Sequence, residues 1–221
     1  ERQDPQAIEE ARRWLKAHAS WSTQRLFAYL AEKVAPRVTI EKSPSTVMKM
    51  AFLKRLQRDF PEARILHLTR HPRATCRSIH AIVKKTDEIR GFKRNIDPEH
   101  LWRQAHGHIM AFLRDWPSDR WMRIRGEDLL AEPDRYLPQI AQWLGLRMDE
   151  GAIEAMKHPE HSPYASLGPY NAPFGNDPGF LHHPYYTKRL PSRETMAGPM
   201  EWGAPRFSRE TLSLARSLGY G

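Results

Sequence analysis

The chain has 221 residues, 40% of them hydrophobic, enough for one domain with a sizeable core, and no apolar run approaches the roughly 18 residues that cross a bilayer. Its 35 Lys and Arg against 26 Asp and Glu leave a net charge of +9, which biases it towards anionic ligands. Those basic residues are scattered rather than gathered into a stripe, which argues against a nucleic-acid module.

A lone Cys76 excludes an internal disulfide. With no basic-then-apolar leader pattern visible, the expected setting is the cytoplasm, with no membrane partner. Asp4-Pro5 pairs an N-cap with proline at the first helical position, and Ile8, Ala11 and Leu15 follow at helical spacing. Leu26, Leu30 and Val34 mark a second helix, which Pro36 ends. Val38–Lys42 is short and β-branched and predicts a strand. Ser43-Pro44-Ser45 stops it and opens a helix with Val47, Met50 and Leu56 on its apolar side, closed by Phe60-Pro61. Arg64–Thr69 is nearly continuous in apolar content, as a buried parallel strand should be.

His71-Pro72 turns directly into a helix through residue 86. Asp97-Pro98 starts another that reaches Trp116, Trp121–Arg125 predicts a third strand, and Glu132-Pro133 opens a helix ending at Leu144-Gly145. Alternation of this kind predicts an α/β fold, a three-layer parallel sheet with flanking helices. Residues 157–205 are rich in Pro, Gly, His, Asn and aromatics without sustained periodicity, an irregular loop region. Ser208–Gly219 predicts a short closing helix with an N-cap and a glycine stop.

Two of the expected strands end in a cation, Lys42 and Arg70, and each runs into a proline-started helix. In open α/β sheets ligands bind at the carboxyl ends of strands, where helix N-termini present unpaired N–H groups to anions. Ser78, about two helical turns beyond Arg70, can add a neutral hydroxyl donor to the same anion. The commoner role of such a serine is to bond back to a helix carbonyl. Arg73 and Arg77, one helical turn apart, read as solvated, with a minor share in binding a phosphate as the alternative. Trp102, Trp116, Trp121 and Trp143 read as core or as the wall of a substrate pocket.

Glu41-Lys42-Ser43-Pro44, the turn Phe60-Pro61-Glu62-Ala63, the strand closed by Arg70, and Ser78 eight residues later together resemble the PAPS-dependent sulfotransferases, especially their bacterial branch. PAPS is 3′-phosphoadenosine 5′-phosphosulfate. Arg125–Leu130 resembles the family's Tyr-Glu-Asp-Leu element, and Ile140–Leu146 its following helix. The segment from Met156 to Phe180 stands where the family places a donor-covering loop.

The resemblance implies a P-loop-like fold and transfer of a sulfuryl group from PAPS to a hydroxyl or amine, leaving PAP. It implies Arg70 and Ser78 on the donor's 3′-phosphate and Lys42 as the catalytic residue at the bridging oxygen. The family's glycine-rich loop, which cradles the 5′-phosphosulfate, has no counterpart upstream of Glu41. The expectation is therefore a single sulfotransferase domain over 1–221 that lacks its first strand and that loop.

Two further positions depart from the family. Gly126 replaces the tyrosine that many relatives place on the adenine, and Pro173-Phe174 stand where an Arg-Lys pair often precedes the loop glycine. The histidine that some branches use as general base, two residues after the lysine, is here Pro44, so no base is assigned. A non-catalytic descendant binding PAP, another nucleotide or a partner is the reading that the absent loop favours. A P-loop-type kinase would need a complete Walker loop and a magnesium-binding carboxylate, and neither is visible. His106 and His108 face different directions on their helix, and His182-His183 have no acidic partner at zinc spacing, so no metal is expected. No motif names the acceptor or the oligomeric state.

Overall fold

Helix boundaries follow the side chains that satisfy their free N–H groups. In the computed structural model, which describes residues 4–91, 95–162, 165–169, 171–172, 180, 182–188 and 194–221, Asp4 accepts from the Ala7 amide and starts α1 (Pro5–Ala17). Ser22 does the same for α2 (Thr23–Val34). Between them Trp14 stacks on His18 and on Tyr29, and Trp21 meets these rings edge-on. The chain forms two compact units, residues 1–40 with 132–188 and residues 41–131 with 189–221. The first also holds α7 (Pro133–Leu144), ended by Gly145 in the left-handed region at φ 71°, and α8 (Glu150–Met156), capped by Asp149.

The second unit carries the sheet. In it lie α3 (Met50–Asp59), β1 (Ile65–Thr69), α4 (Pro72–Arg90), α5 (Pro98–Leu113), β2 (Trp121–Arg125), α6 (Gly126–Ala131) and α9 (Arg209–Ser217). β1 and β2 pair in parallel, Ile65 opposite Trp121 through Thr69 opposite Arg125, with α4 and α5 in the connection. The fold is α/β, a parallel sheet with flanking helices. Burial along β1 alternates: His67 and Thr69 are covered, whereas Leu66 is 39% and Leu68 52% exposed.

α5 divides the core. At its C-terminal end Ile109, Phe112 and Leu113 pack with Leu53, Trp116, Ile65 and Trp121. At its start Trp102 packs with Cys76, Met200, Phe207, Ala215, Leu218 and Tyr220. Burial pushes the Cys76 thiol up to about 12, so it behaves as an inert apolar side chain. Buried Glu99 fastens α9 beneath α5 by accepting from the Ser208 amide at 2.8 Å and the Thr211 hydroxyl at 2.6 Å.

Two expected elements are corrected. Val38–Lys42 is not a strand but an unpaired segment, with Ile40 80% exposed. A strand needs a neighbour for its N–H and C=O groups, and among the described residues β1 and β2 pair only with each other. The helix expected from Pro44 onward is split into a 3-10 turn at Pro44–Val47 and α3, with Lys49 extended between them. The Val47 carbonyl there accepts from His108 Nδ1 at 2.9 Å instead of a helical amide. No helix among the described residues is long and apolar enough to cross a membrane.

Candidate functional site

The carboxyl end of β1 is built by a chain of hydrogen bonds. The Thr69 hydroxyl lies 2.9 Å from the Tyr220 hydroxyl, which donates to Glu127 Oε2 at 3.1 Å. With that donation fixed, Thr69 donates to Tyr220. The other carboxylate oxygen of Glu127 accepts from the His71 backbone amide at 2.7 Å. His71 caps α4 by accepting the Arg73 amide on Nδ1 at 3.2 Å. Burial, with Glu127 alongside, pushes the Tyr220 phenol well above its ordinary range.

Four arginines surround this corner, and three are engaged. Arg125 grips Asp128 through two bonds of 2.6 and 2.9 Å and donates to the Gly219 carbonyl. Arg73 is 8% exposed and donates to the carbonyls of Thr195, Ala197 and Pro199 at 2.8, 2.6 and 3.0 Å. Glu201 lies 3.6 Å from the same guanidinium. Arg77 pairs with Glu194 and with Glu201. The expectation of solvation is corrected for Arg73, which is buried, and holds for Arg77, which stays exposed though ion-paired; the acceptors of both arrive from residues 194–201, more than a hundred positions along the chain. This clamp was hidden from sequence reasoning, since backbone carbonyls leave no trace in side-chain pattern.

Arg70 is the fourth. It is exposed, between the last residue of β1 and the cap of α4, and among the described residues no carboxylate or carbonyl engages it. Ser78 is half-buried on α4 and likewise carries no hydrogen bond there. The back-bond that helix serines and threonines often make is instead made by Thr75, to the His71 carbonyl at 3.1 Å, and by Thr86, to Ile82 at 2.7 Å. A free guanidinium at a helix start, with a free hydroxyl two turns along, can bind an oxyanion.

Lys42 lies on the unpaired segment, exposed and, among the described residues, without an ion pair or hydrogen bond. Glu41, exposed beside it, supplies no base in contact with it. Gly126 has a structural reason: a Cβ there would lie 3.2 Å from the Thr69 carbonyl oxygen, a tight contact with β1 backbone. Of the late loop, Pro173-Phe174 and the residues through 179 lie outside the described residues.

Sequence reasoning also passed over the turn after α8. There His158, Glu160 and His161 bring one potential ligand atom each within 4.8 Å of one another. Its histidines escaped notice because Pro159 separates the first from Glu160, a spacing outside the commonest zinc patterns.

The family model described as Sulfotransferase family matches residues 1–150. Among curated proteins none matches the chain. Among solved structures, the sulfotransferase domain from the Synechococcus PCC 7002 olefin synthase is similar at 25% identity with a TM-score of 0.71, covering 99% of this chain and 71% of that one. The sulfotransferase domain from the curacin biosynthetic pathway is similar at 22% identity with a TM-score of 0.67, covering 90% of this chain and 68% of that one.

Proposed function

The chain belongs to the sulfotransferase family, and from that premise we propose that it moves a sulfuryl group from PAPS to an acceptor hydroxyl or amine in the cytoplasm. Arg70 and Ser78 hold the donor's 3′-phosphate, and Lys42 acts at the transferring group. One observation carries the reading. Of the four arginines at the end of β1, Arg70 alone is left unengaged among the described residues, at the position where the family binds the 3′-phosphate.

Charge and positioning supply the chemistry. The acceptor oxygen or nitrogen attacks sulfur in line, and the bond from sulfur to the bridging phosphate oxygen breaks as PAP departs. The ammonium of Lys42 donates to that bridging oxygen and offsets the charge developing on it. The acceptor's proton passes to solvent water as the bond to sulfur forms. Arg70 presents a planar fork suited to phosphate, and Ser78 adds a neutral donor. Arg73 and Arg77, tied to their own partners, hold the frame. Recognition of a 3′-phosphate separates PAPS and PAP from ATP, which lacks one.

Calorimetric titration with PAP and ATP, on wild type and Arg70→Ala, tests this. PAP should bind well above ATP, and the substitution should weaken PAP by about ten- to a hundredfold, the loss of charge-assisted bonds to phosphate. Equal affinity for PAP and ATP, or indifference to Arg70, overturns the assignment. A preference for ATP supports the kinase reading instead.

A further inference from the structure

The turn that follows α8 holds a group of side chains to which the sulfotransferase reading gives no task. His158 lies between two carboxylates: its Nε2 is 3.2 Å from Glu154 Oε1 and its Nδ1 is 2.8 Å from Glu160 Oε1. Glu154 is itself fixed, since its other oxygen lies 2.7 Å from Lys157 Nζ, which also reaches Asp134 at 2.5 Å. A carboxylate so anchored can take the Nε2–H of His158 and hold Nδ1 facing Glu160. Between Nδ1 and the Glu160 oxygen, 2.8 Å apart, stands either the ring's own proton or a bound cation in its place.

The rest of the group asks for the same charge. Glu160 Oε2 is buried without any hydrogen-bond partner, and an unpaired carboxylate oxygen withdrawn from water is costly. The His161 ring stacks on His158, centroids 5.2 Å apart and planes within 15°. Donors from His158, Glu160 and His161 lie within 4.8 Å of one another. Around a tetrahedral zinc ion with bonds of about 2.0–2.1 Å, donors sit roughly 3.4 Å apart. Side-chain rotation in a short, partly buried turn can close that gap.

We propose that His158, Glu160 and His161 form a divalent transition-metal site, with Glu154 as the outer carboxylate that orients His158. A set of two imidazoles and one carboxylate suits Zn2+ and its neighbours rather than Mg2+ or Ca2+. Three protein ligands leave a fourth position to water, the arrangement of an exchangeable site. The site pins the turn at the start of the loop region 157–205. It stands at the start of the segment that resembles the donor-covering loop, but it does not depend on the donor-binding reading, which rests on Arg70, Ser78 and Lys42.

Co2+ titration, followed by the visible absorption of tetrahedral cobalt and by displacement with Zn2+, tests the proposal. The protein should take up one equivalent saturably. His161→Ala and Glu160→Gln should each weaken uptake by about tenfold or more, while the paired change His182→Ala with His183→Ala leaves it unchanged. Both single variants alter a turn rather than core residues, and circular dichroism of the metal-free proteins reads whether each is folded. Absence of saturable uptake, uptake insensitive to His161 and Glu160, or equal loss in the His182/His183 control overturns the site.

Discussion

A guanidinium at a strand end can serve the fold or a ligand, and what decides is how many of its donors the fold already uses. Arg73 spends its donors on three carbonyls and lies near one carboxylate, in surroundings that leave it 8% exposed. Its replacement by methionine keeps much of the apolar stem but strands those carbonyls. Urea denaturation of Arg73→Met should show a loss of about 2–4 kcal/mol. Arg73→Lys should recover only part of that, since an ammonium cannot reach the three acceptors with the geometry of a planar fork. Full recovery by lysine would mean that charge alone matters there. The place of Arg70, at the end of an apolar run before His71-Pro72, was legible in the sequence. The difference between the two arginines was not, because it rests on carbonyls contributed by residues 195–199.

β1 meets α5 through a polar contact as well as through the apolar packing of Ile65. Arg123 Nε donates to His67 Nδ1 at 3.2 Å, so His67 Nε2–H donates to His106 Nδ1 at 3.0 Å. Both rings are held neutral. Burial, then the neighbouring His106 and Arg123, drive His67 down to about 3, and burial with Arg123 drives His106 down to about 4. The unfolded chain takes up protons on both rings near pH 6.5, whereas the folded chain resists until about 4 and 3. Stability from this contact is therefore full above pH 6.5 and lost as pH falls through that window. Denaturation between pH 7 and 4 should show His106→Gln losing less stability on acidification than wild type, by up to about 1.4 kcal/mol per pH unit. Equal slopes would remove this role.

The elements themselves were largely readable. Asp4, Asp97 and Ser208, the caps read from the sequence, each accept from an amide in the first turn of the helix they begin, whereas the caps Ser22 and Asp149, and α8 itself, went unread; β1 and β2 declared themselves by apolar content. Val38–Lys42 has the composition of a strand but not the neighbour, and pairing is a property of two segments. α6 escaped because it begins with Gly126 and two carboxylates, which locally suggest a loop. The His67–His106 contact escaped for the same reason as the Arg73 clamp: its partners stand 39 residues apart.

At the scale of the molecule, charge acts before contact. A net charge of +9 raises the encounter rate with an anion such as PAP, and salt screens that attraction over about 8 Å at physiological strength. Stopped-flow association with PAP should slow as ionic strength rises, while dissociation changes less. Association indifferent to salt would show that the scattered cations do not steer the ligand. The second unit is also assembled from distant stretches, with Arg73 joined to acceptors 122 to 126 residues later and Thr69 to Tyr220 at a separation of 151. During synthesis residues 41–131 therefore emerge before the carbonyls and the phenol that complete them, with all of 132–188 made in between. A nascent chain halted before residue 189 holds β1 and β2 but not the clamp around the β1–α4 junction. The corner around Arg70 is then completed only once residues 189–221 are made and docked, and a ribosome pause within 132–188 prolongs an interval in which that corner is open to proteases and chaperones.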